Sequence, residues 1–137
     1  MSEGRISSRP TSKGSRRPKP PSFDELVGQV LAFRDGRDWG QFHNPKDLAI
    51  SISLEAAELL EVFQWKNPEE VTALVRDPQG HREVIWEMAD ILILLISLAD
   101  ILGTDLVKAA LEKLQENERK YPVERARGSA RKYRDLR

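Results

Sequence analysis

The sequence predicts an all-α fold, a bundle of the four-helix type with short connections, and three observations support this prediction. Asparagine or aspartate stands directly before proline at Asn44, Asn67 and Asp77. This is a typical helix start, because proline suits the first helical position. Apolar residues then recur at helical spacing, and no strand-like alternation or internal repeat interrupts them. A length of 137 residues suits one domain with a core.

The first two helices are predicted from their start signals. Ser22 and Glu25 form a capping-box pattern, so the first helix begins after Ser22. The segment 36–43 is polar with two aromatic residues, which indicates a structured loop. The second helix is predicted to run from Asn44 to about Trp65.

The third and fourth helices follow from the same signal. Asn67 starts a short helix that is expected to end near Val75, and Asp77 starts a long apolar helix. Gly103 is the expected stop of that fourth helix, because glycine readily adopts the backbone conformation that follows a helix.

A fifth helix and two basic chain ends complete the prediction. Thr104 or Asp105 caps the fifth helix, and Pro122 ends it. Residues 123–137 are predicted to form an irregular basic tail. Residues 1–21, rich in Ser, Arg, Pro and Gly, are predicted to be disordered, which leaves one domain over 22–137.

Charge is unevenly distributed, although the formal net charge is zero. Residues 1–20 contain six bases and one acid, residues 21–100 six bases and fifteen acids, and residues 101–137 ten bases and six acids. An acidic middle beside basic ends suits a site for a metal-bound polyanion. Solvated helix faces are the alternative interpretation.

Composition excludes several classes of protein. Cysteine is absent, which excludes disulfides, zinc–thiolate sites and thiol catalysis and is typical of a cytoplasmic protein. The longest apolar run, 91–99, is far shorter than the roughly 20 residues that span a bilayer, so no membrane partner is expected.

Two pairs of carboxylates form the main candidate site. Glu55 and Glu58 are one helical turn apart in the second helix, and Glu87 and Asp90 are one turn apart in the apolar fourth helix. If these helices pack antiparallel, four carboxylates meet at one point and require a divalent cation. Oxygen ligands favour Mg²⁺, with Mn²⁺ as the alternative ion, over zinc. No Glu-x-x-His pair is present, which argues against a di-iron site. The alternative is that these acids face solvent and pair with nearby bases.

A basic side follows in the fifth helix and the tail. Its residues are Lys113, Asn117, Tyr121, Arg125, Arg127, Ser129, Arg131 and Lys132. Flexible cations, a hydroxyl and free backbone N–H groups can wrap a polyphosphate. A solubilising tail is the alternative, and a nucleic-acid partner is not expected, since only Tyr133 interleaves with the bases.

Aromatic residues near both ends of the second helix offer flat surfaces for a nucleobase. They are Trp39, Phe42 and His43 before the helix and Trp65 after it. Packing in the core is the alternative role for each, and above all for Trp65.

Four sequence blocks resemble a known family. The runs DWGQFH, EAAELLEVFQW, EMADILILL and NERKYPVERARGSARKY resemble the MazG-like nucleotide pyrophosphohydrolases, and they are most similar to the small dCTP pyrophosphatase branch. The resemblance covers residues 23–136. It implies an all-α enzyme that hydrolyses a (deoxy)nucleoside triphosphate to the monophosphate and pyrophosphate, as nucleotide-pool house-cleaning, and that assembles as a homodimer or a dimer of dimers.

The resemblance also implies roles for individual residues. Matching positions make Glu55, Glu58, Glu87 and Asp90 the magnesium ligands. Trp39, His43 and Trp65 would line the base pocket, and Lys113, Asn117 and Tyr121 would face the phosphates, with the segment 127–132, which includes Arg127, Ser129 and Lys132, closing over them. Glu58 is the expected carboxylate nearest the attacking water. Relatives often carry a tyrosine where this chain has Leu94, which leaves the substrate open.

Two alternatives to this activity follow from the sequence. One is a non-enzymatic helical interaction module whose acidic middle binds a basic partner. The other is a related all-α enzyme that acts on another nucleotide, such as dUTP.

Overall fold

The computed structural model describes residues 19–136 and confirms the all-α fold. The helices are α1 (Phe23–Asp35), α2 (Pro45–Phe63), α3 (Pro68–Arg76), α4 (Pro78–Ile101), α5 (Leu106–Lys120) and the short α6 (Val123–Ala126). Trp39–Phe42 and Tyr133–Asp135 form single 3₁₀ turns, and no β-strand occurs between residues 19 and 136. Most of the predicted disordered segment, residues 1–18, lies outside the described residues.

Side-chain caps explain why the helices begin where the sequence predicts. The Ser22 hydroxyl accepts a hydrogen bond from the Glu25 backbone N–H at 3.2 Å, and the Ser22 N–H donates to the Glu25 carboxylate at 2.7 Å. Asn67 and Glu70 form the same reciprocal pair at α3, and the side chains of Asn44, Asp77 and Asp105 accept hydrogen bonds from backbone N–H groups at the starts of α2, α4 and α5. Because these bonds satisfy N–H groups that lack partners within the helix, they fix each start locally.

Helix α4 is the centre of the fold. It packs most extensively against α2 and also contacts α3 and α1. The residues that are more than nine-tenths buried in this core include Val30, Leu48, Ile96, Ser97 and Ala99. In the described part of the chain, no helix is long and apolar enough to cross a bilayer.

Helix α5 stands apart from this core. None of the extensively packed helix pairs includes α5. Its apolar side chains Val107, Leu111 and Leu114 are 45%, 57% and 54% exposed. One copy of the chain therefore leaves the apolar face of α5 open.

The C-terminal tail is less irregular than predicted. Val123–Ala126 forms a helical turn, and Tyr133–Asp135 forms a 3₁₀ turn. Pro122 ends α5 but also starts α6, since its carbonyl accepts hydrogen bonds from Arg125 and Ala126 at 3.0 and 2.9 Å. A residue that stops one helix is compatible with the start of the next.

Candidate active site

Glu55, Glu58 and Glu87 each bring one carboxylate oxygen to the same place, and these oxygens all lie within 4.8 Å of one another. Glu55 and Glu58 lie one turn apart on α2, and Glu87 lies on α4. Glu55 and Glu87 are half-buried, and Glu58 is exposed. The packing of α2 on α4 thus brings together three of the four predicted ligands.

Asp90, the fourth predicted ligand, is not part of this group of three. It nevertheless acts on the group through its charge. Partial desolvation raises the pKa of Glu55, and the charges of Glu58, Asp90 and Glu87 raise it further. Desolvation also raises the pKa of Glu87, as do the charges of Glu58 and Asp90. Without a cation, the ionised forms of Glu55 and Glu87 are therefore disfavoured.

The donor set fits a hard divalent cation. All four groups offer oxygen, which is the ligand that Mg²⁺ prefers. Two ligands about 2.1 Å from one Mg²⁺ lie at most about 4.2 Å apart. The three oxygens lie within 4.8 Å of one another, so small side-chain rotations suffice for all three to bind one ion.

Glu83, Glu87 and Asp90 follow one another at helical spacing on α4 and form an acidic stripe, but Glu83 has another partner. The side-chain amide of Gln79 donates to Glu83 at 3.1 Å. Glu83 is also absent from the group of converging carboxylates. The structure thus places Glu87 in the candidate metal site and Glu83 outside it, a distinction that the spacing along α4 does not make.

The predicted base-contacting residues Trp39 and His43 lie in the turn between α1 and α2. Trp39 is 46% exposed. The Nδ1 atom of His43 is buried and has no hydrogen-bond partner within the protein. Both residues precede α2 and lie on the same side of the carboxylates along the chain.

Trp65 lies at the other end of α2 and is 92% exposed. The 19 residues of α2 span about 28 Å, which separates Trp65 from Trp39. Trp65 also has a positive φ of 65°, which places it on a sharp turn directly after the helix. One copy of the chain therefore does not bring Trp39 and Trp65 into one base pocket.

Of the predicted phosphate contacts, Lys113 and Asn117 lie on α5 and Tyr121 directly follows it, and all three are exposed. The structure does not pack α5 closely against either helix that carries the carboxylates. The tail residues Arg127, Ser129 and Lys132 follow α6 and are exposed as well. A single copy thus leaves the predicted phosphate contacts on a separate surface.

Two clefts lie away from the carboxylates. The first, about 450 Å³, lies between the start of α1, the end of α4 and the start of α5, and Phe23, Ile96 and Leu106 line it. The second is an open depression in the tail that Arg125, Ser129 and Arg131 line in part. All three of these tail residues belong to the predicted basic side, and none of the predicted metal ligands lines either cleft.

Sequence reasoning missed two residues that contact Trp39. The guanidinium of Arg37 lies over the ring of Phe33, and the rings of Phe33 and Trp39 meet edge to face. The i, i+4 spacing of Phe33 and Arg37 at the end of a predicted helix is the signal that could have identified them.

Comparison with known proteins gives consistent matches. The model of the MazG-like family matches residues 50–136. The dCTP pyrophosphatase 1 of Bos taurus is 40% identical over 116 residues, which cover 85% of this chain and 69% of the relative. The dCTP pyrophosphatase 1 of Homo sapiens is 37% identical over 116 residues, which cover 85% of this chain and 68% of the relative.

A solved structure matches as well. A pyrophosphatase from Archaeoglobus fulgidus DSM 4304 is 44% identical, with a TM-score of 0.67. The match covers 72% of this chain and 91% of that protein. Both its fold and its sequence are thus similar to those of this chain.

Proposed function

The chain belongs to the MazG-like family, and we propose that it hydrolyses dCTP, or a related pyrimidine deoxynucleoside triphosphate, to the monophosphate and pyrophosphate. The observation that carries the proposal is the convergence of Glu55, Glu58 and Glu87 within 4.8 Å across two packed helices. Relatives named dCTP pyrophosphatase 1 support the choice of substrate.

Mg²⁺ is the proposed cofactor, held by Glu55, Glu58, Glu87 and Asp90, with Mn²⁺ as the alternative ion. When bound, it neutralises triphosphate charge that four carboxylates would otherwise repel. The half-buried Glu55 and Glu87 fix the position of the site on α2 and α4. Asp90 adds negative charge one turn further along α4.

Glu58 is the proposed catalytic residue, because it is the exposed member of the group. Its carboxylate accepts a hydrogen bond from the attacking water and orients that water in line with the bond from the α-phosphorus to the pyrophosphate. Removal of such a group typically lowers a rate by about 10²–10⁴-fold.

Substrate recognition is proposed to involve the remaining predicted residues. Trp39, His43 and Trp65 contact the base, and Lys113, Asn117, Tyr121, Arg127, Ser129 and Lys132 contact the phosphates. These groups lie on separate parts of one copy, since α5 packs closely on neither α2 nor α4. A second copy of the chain would complete each site, in a homodimer or a dimer of dimers.

Exposed apolar side chains support self-association. Leu54 and Leu60 on α2 are 59% and 66% exposed, and Trp86 on α4 is 58% exposed. Exposed apolar side chains on α2, α4 and α5 are available to a second copy of the chain. The proposed folded unit is 22–137, and its proposed role is to clear the cytoplasmic nucleotide pool of unwanted triphosphates.

A panel of nucleoside triphosphates with Mg²⁺ tests the proposal. We expect pyrophosphate and dCMP from dCTP, and chromatography of the products over the whole panel, including dUTP, identifies the preferred base. Glu58→Gln should lower kcat by about 100-fold or more. Glu61→Gln is the matched control, because Glu61 is exposed on the same helix outside the group, and it should change kcat less than about twofold. A wild-type protein that releases no pyrophosphate from any nucleotide would refute the proposal.

A further inference from the structure

An aromatic platform, formed by Phe33, Arg37 and Trp39, joins the end of α1 to the turn that follows it. The guanidinium carbon of Arg37 lies 3.6 Å from the centroid of the Phe33 ring and 5.9 Å from that of the Trp39 ring. The rings of Phe33 and Trp39 are 5.6 Å apart between centroids and meet at 78°. All three distances fall in the range of favourable cation–π and edge-to-face contacts.

Arg37 also completes the backbone at the end of α1. The Arg37 N–H, which would bond the Phe33 carbonyl if the helix continued, donates to the Arg34 carbonyl at 3.2 Å. The Arg37 side chain donates to the Phe33 carbonyl instead, at 3.0 Å. One side chain therefore holds both the ring and the backbone of Phe33, and it satisfies a carbonyl that the helix end leaves free.

The turn after Arg37 holds Trp39 against this support. Asp38 has a φ of 53°, in the left-handed region that aspartate tolerates better than most residues. The Gln41 side-chain amide donates to the carbonyl of Asp38 at 3.1 Å and to its carboxylate at 2.9 Å. These bonds keep the reversal in place, while 46% of the Trp39 side chain remains exposed.

We propose that Arg37 and Phe33 are positioning residues that hold the Trp39 ring ready to stack on the nucleobase of the substrate. This inference rests on the proposed function and deepens it, since it names the groups that determine base recognition. A ring that is already ordered loses less conformational entropy when the base binds than a mobile ring does. Loss of the support should therefore weaken binding of the base and leave hydrolysis of the triphosphate unchanged.

The test compares dCTP with a deoxyribose 5′-triphosphate that lacks a base. For Arg37→Gln, we expect KM for dCTP to rise about tenfold, which corresponds to about 1.4 kcal/mol. The kcat for dCTP and the kinetics of the abasic compound should change less than about twofold. Arg82→Gln is the matched control, because it removes another contact between an arginine and a tryptophan: the guanidinium of Arg82 lies 4.7 Å from the ring of Trp86. This variant should leave the ratio of the KM for dCTP to the KM for the abasic compound unchanged.

Fluorine NMR of protein labelled with 5-fluorotryptophan provides a readout without turnover. The resonance of Trp39, assigned from the Trp39→Phe variant, should shift and broaden in Arg37→Gln but not in Arg82→Gln. If Arg37→Gln does not fold, Arg37→Lys serves in its place, since lysine keeps the charge but lacks the planar, forked donor group.

The outcomes separate the two proposals. If the wild type hydrolyses dCTP but the variant keeps its preference for dCTP over the abasic compound, the positioning role is wrong and the proposed function stands. A wild type without activity would refute the proposed function, and the Trp39 resonance would then decide whether Arg37 holds the ring.

Discussion

Glu55 and Glu87 are the two carboxylates of the candidate site whose ionised forms are destabilised in the folded protein. Desolvation and neighbouring carboxylates raise the pKa of each above its usual value of 4.5. A raised pKa means that the fold favours the protonated form. Their contribution to stability is therefore fully present below about pH 4.5 and is lost as the pH rises through the raised value.

The first prediction concerns this pH dependence in the absence of a cation. At about pH 7, Glu55→Gln should be more stable than the wild type, because a neutral amide avoids the repulsion. Near pH 4.5 the difference should shrink, because the raised pKa of Glu55 favours its protonated, uncharged form as the pH falls. Urea unfolding in a chelator at both pH values measures it. A variant less stable than the wild type at neutral pH would contradict the assignment.

The second prediction concerns the cation. Mg²⁺ should raise the Tm of the wild type at neutral pH, since an ion that binds only the native state adds about 2.7 kcal/mol at 100 times its Kd. The double variant Glu55→Gln, Glu87→Gln should show no such rise. Glu83→Gln, which removes a carboxylate bonded to Gln79, is the matched control and should keep the full response. A rise that persists in the double variant would place the ion elsewhere.

Individual residues also show how far the sequence predicts the site. The i, i+3 spacing identified Glu55 and Glu58 as one pair, because that relation is local to a helix. Spacing alone does not separate Glu83, Glu87 and Asp90, which share a stripe of α4. Only the packing of α2 on α4 decides that Glu87 converges with the first pair.

At the scale of elements, α3 and α4 meet at a residue without a side chain. A Cβ atom added to Gly80 would lie 2.5 Å from the carbonyl oxygen of Leu74 and 2.6 Å from its side chain. Backbone cannot move aside as a flexible side chain can. The close approach of the two helices thus depends on glycine at this position.

The third prediction follows from this contact. Gly80→Ala should lower the free energy of unfolding by about 1–3 kcal/mol through overpacking. Gly28→Ala is the matched control, since no atom lies within 4 Å of the added Cβ and alanine is the better helix former. It should leave the stability unchanged or raise it by up to about 1 kcal/mol. Equal effects of the two substitutions in urea unfolding would contradict the prediction.

The open face of α5 gives the fourth prediction. Leu111→Ser combined with Leu114→Ser should reduce the mass of the particle in solution, because both side chains are more than half exposed in one copy. Light scattering measures that mass. Gln115→Ser, a polar residue on the same helix, should leave it unchanged. If the double variant keeps the mass of the wild type, α5 does not form the interface.

Elements differ in how well the sequence predicts them. Helix starts are well predicted, since a cap such as Asn67 bonds to a backbone group three residues away, the N–H of Glu70 at 2.9 Å. The exposure of the apolar face of α5 is not predicted, because periodicity shows which face of a helix is apolar but not whether another helix covers it. The turns after Pro122 were also missed, since they are too short for a periodic signal.

At the scale of the whole molecule, the proposal predicts a site that is shared between two copies of the chain. Trp39 precedes α2 and Trp65 follows it, and the 19 residues of α2 between them span about 28 Å. The carboxylates lie between them along the helix. If both tryptophans contact one base, as proposed, we expect a second copy of the chain to supply one of them.

The fifth prediction tests this division by complementation. A mixture of Glu58→Gln and Trp65→Ala chains, unfolded and refolded together, should recover about a quarter of the wild-type activity. Half of the dimers would be mixed, and each would contain one intact site. A mixture of Glu58→Gln with Glu55→Gln should recover none. Each site takes both glutamates from the α2 of one chain, so every site in a mixed dimer still lacks one of them. Activity no greater than the sum of the separate variants would contradict a shared site.

Asp77 both ends α3 and starts α4, and it is the single residue between the two helices. Insertions and deletions should therefore be tolerated differently in the turn before α2 and at the junction between α3 and α4. The turn that carries Trp39 can gain or lose residues, and base preference can drift, without disturbing the carboxylates. A residue inserted at Asp77 would instead displace the start of α4 relative to α3, because this one residue both ends α3 and caps α4. New substrate preferences in related chains are therefore expected to arise by changes of length before α2 and after α4, while the junction at Asp77 keeps its length.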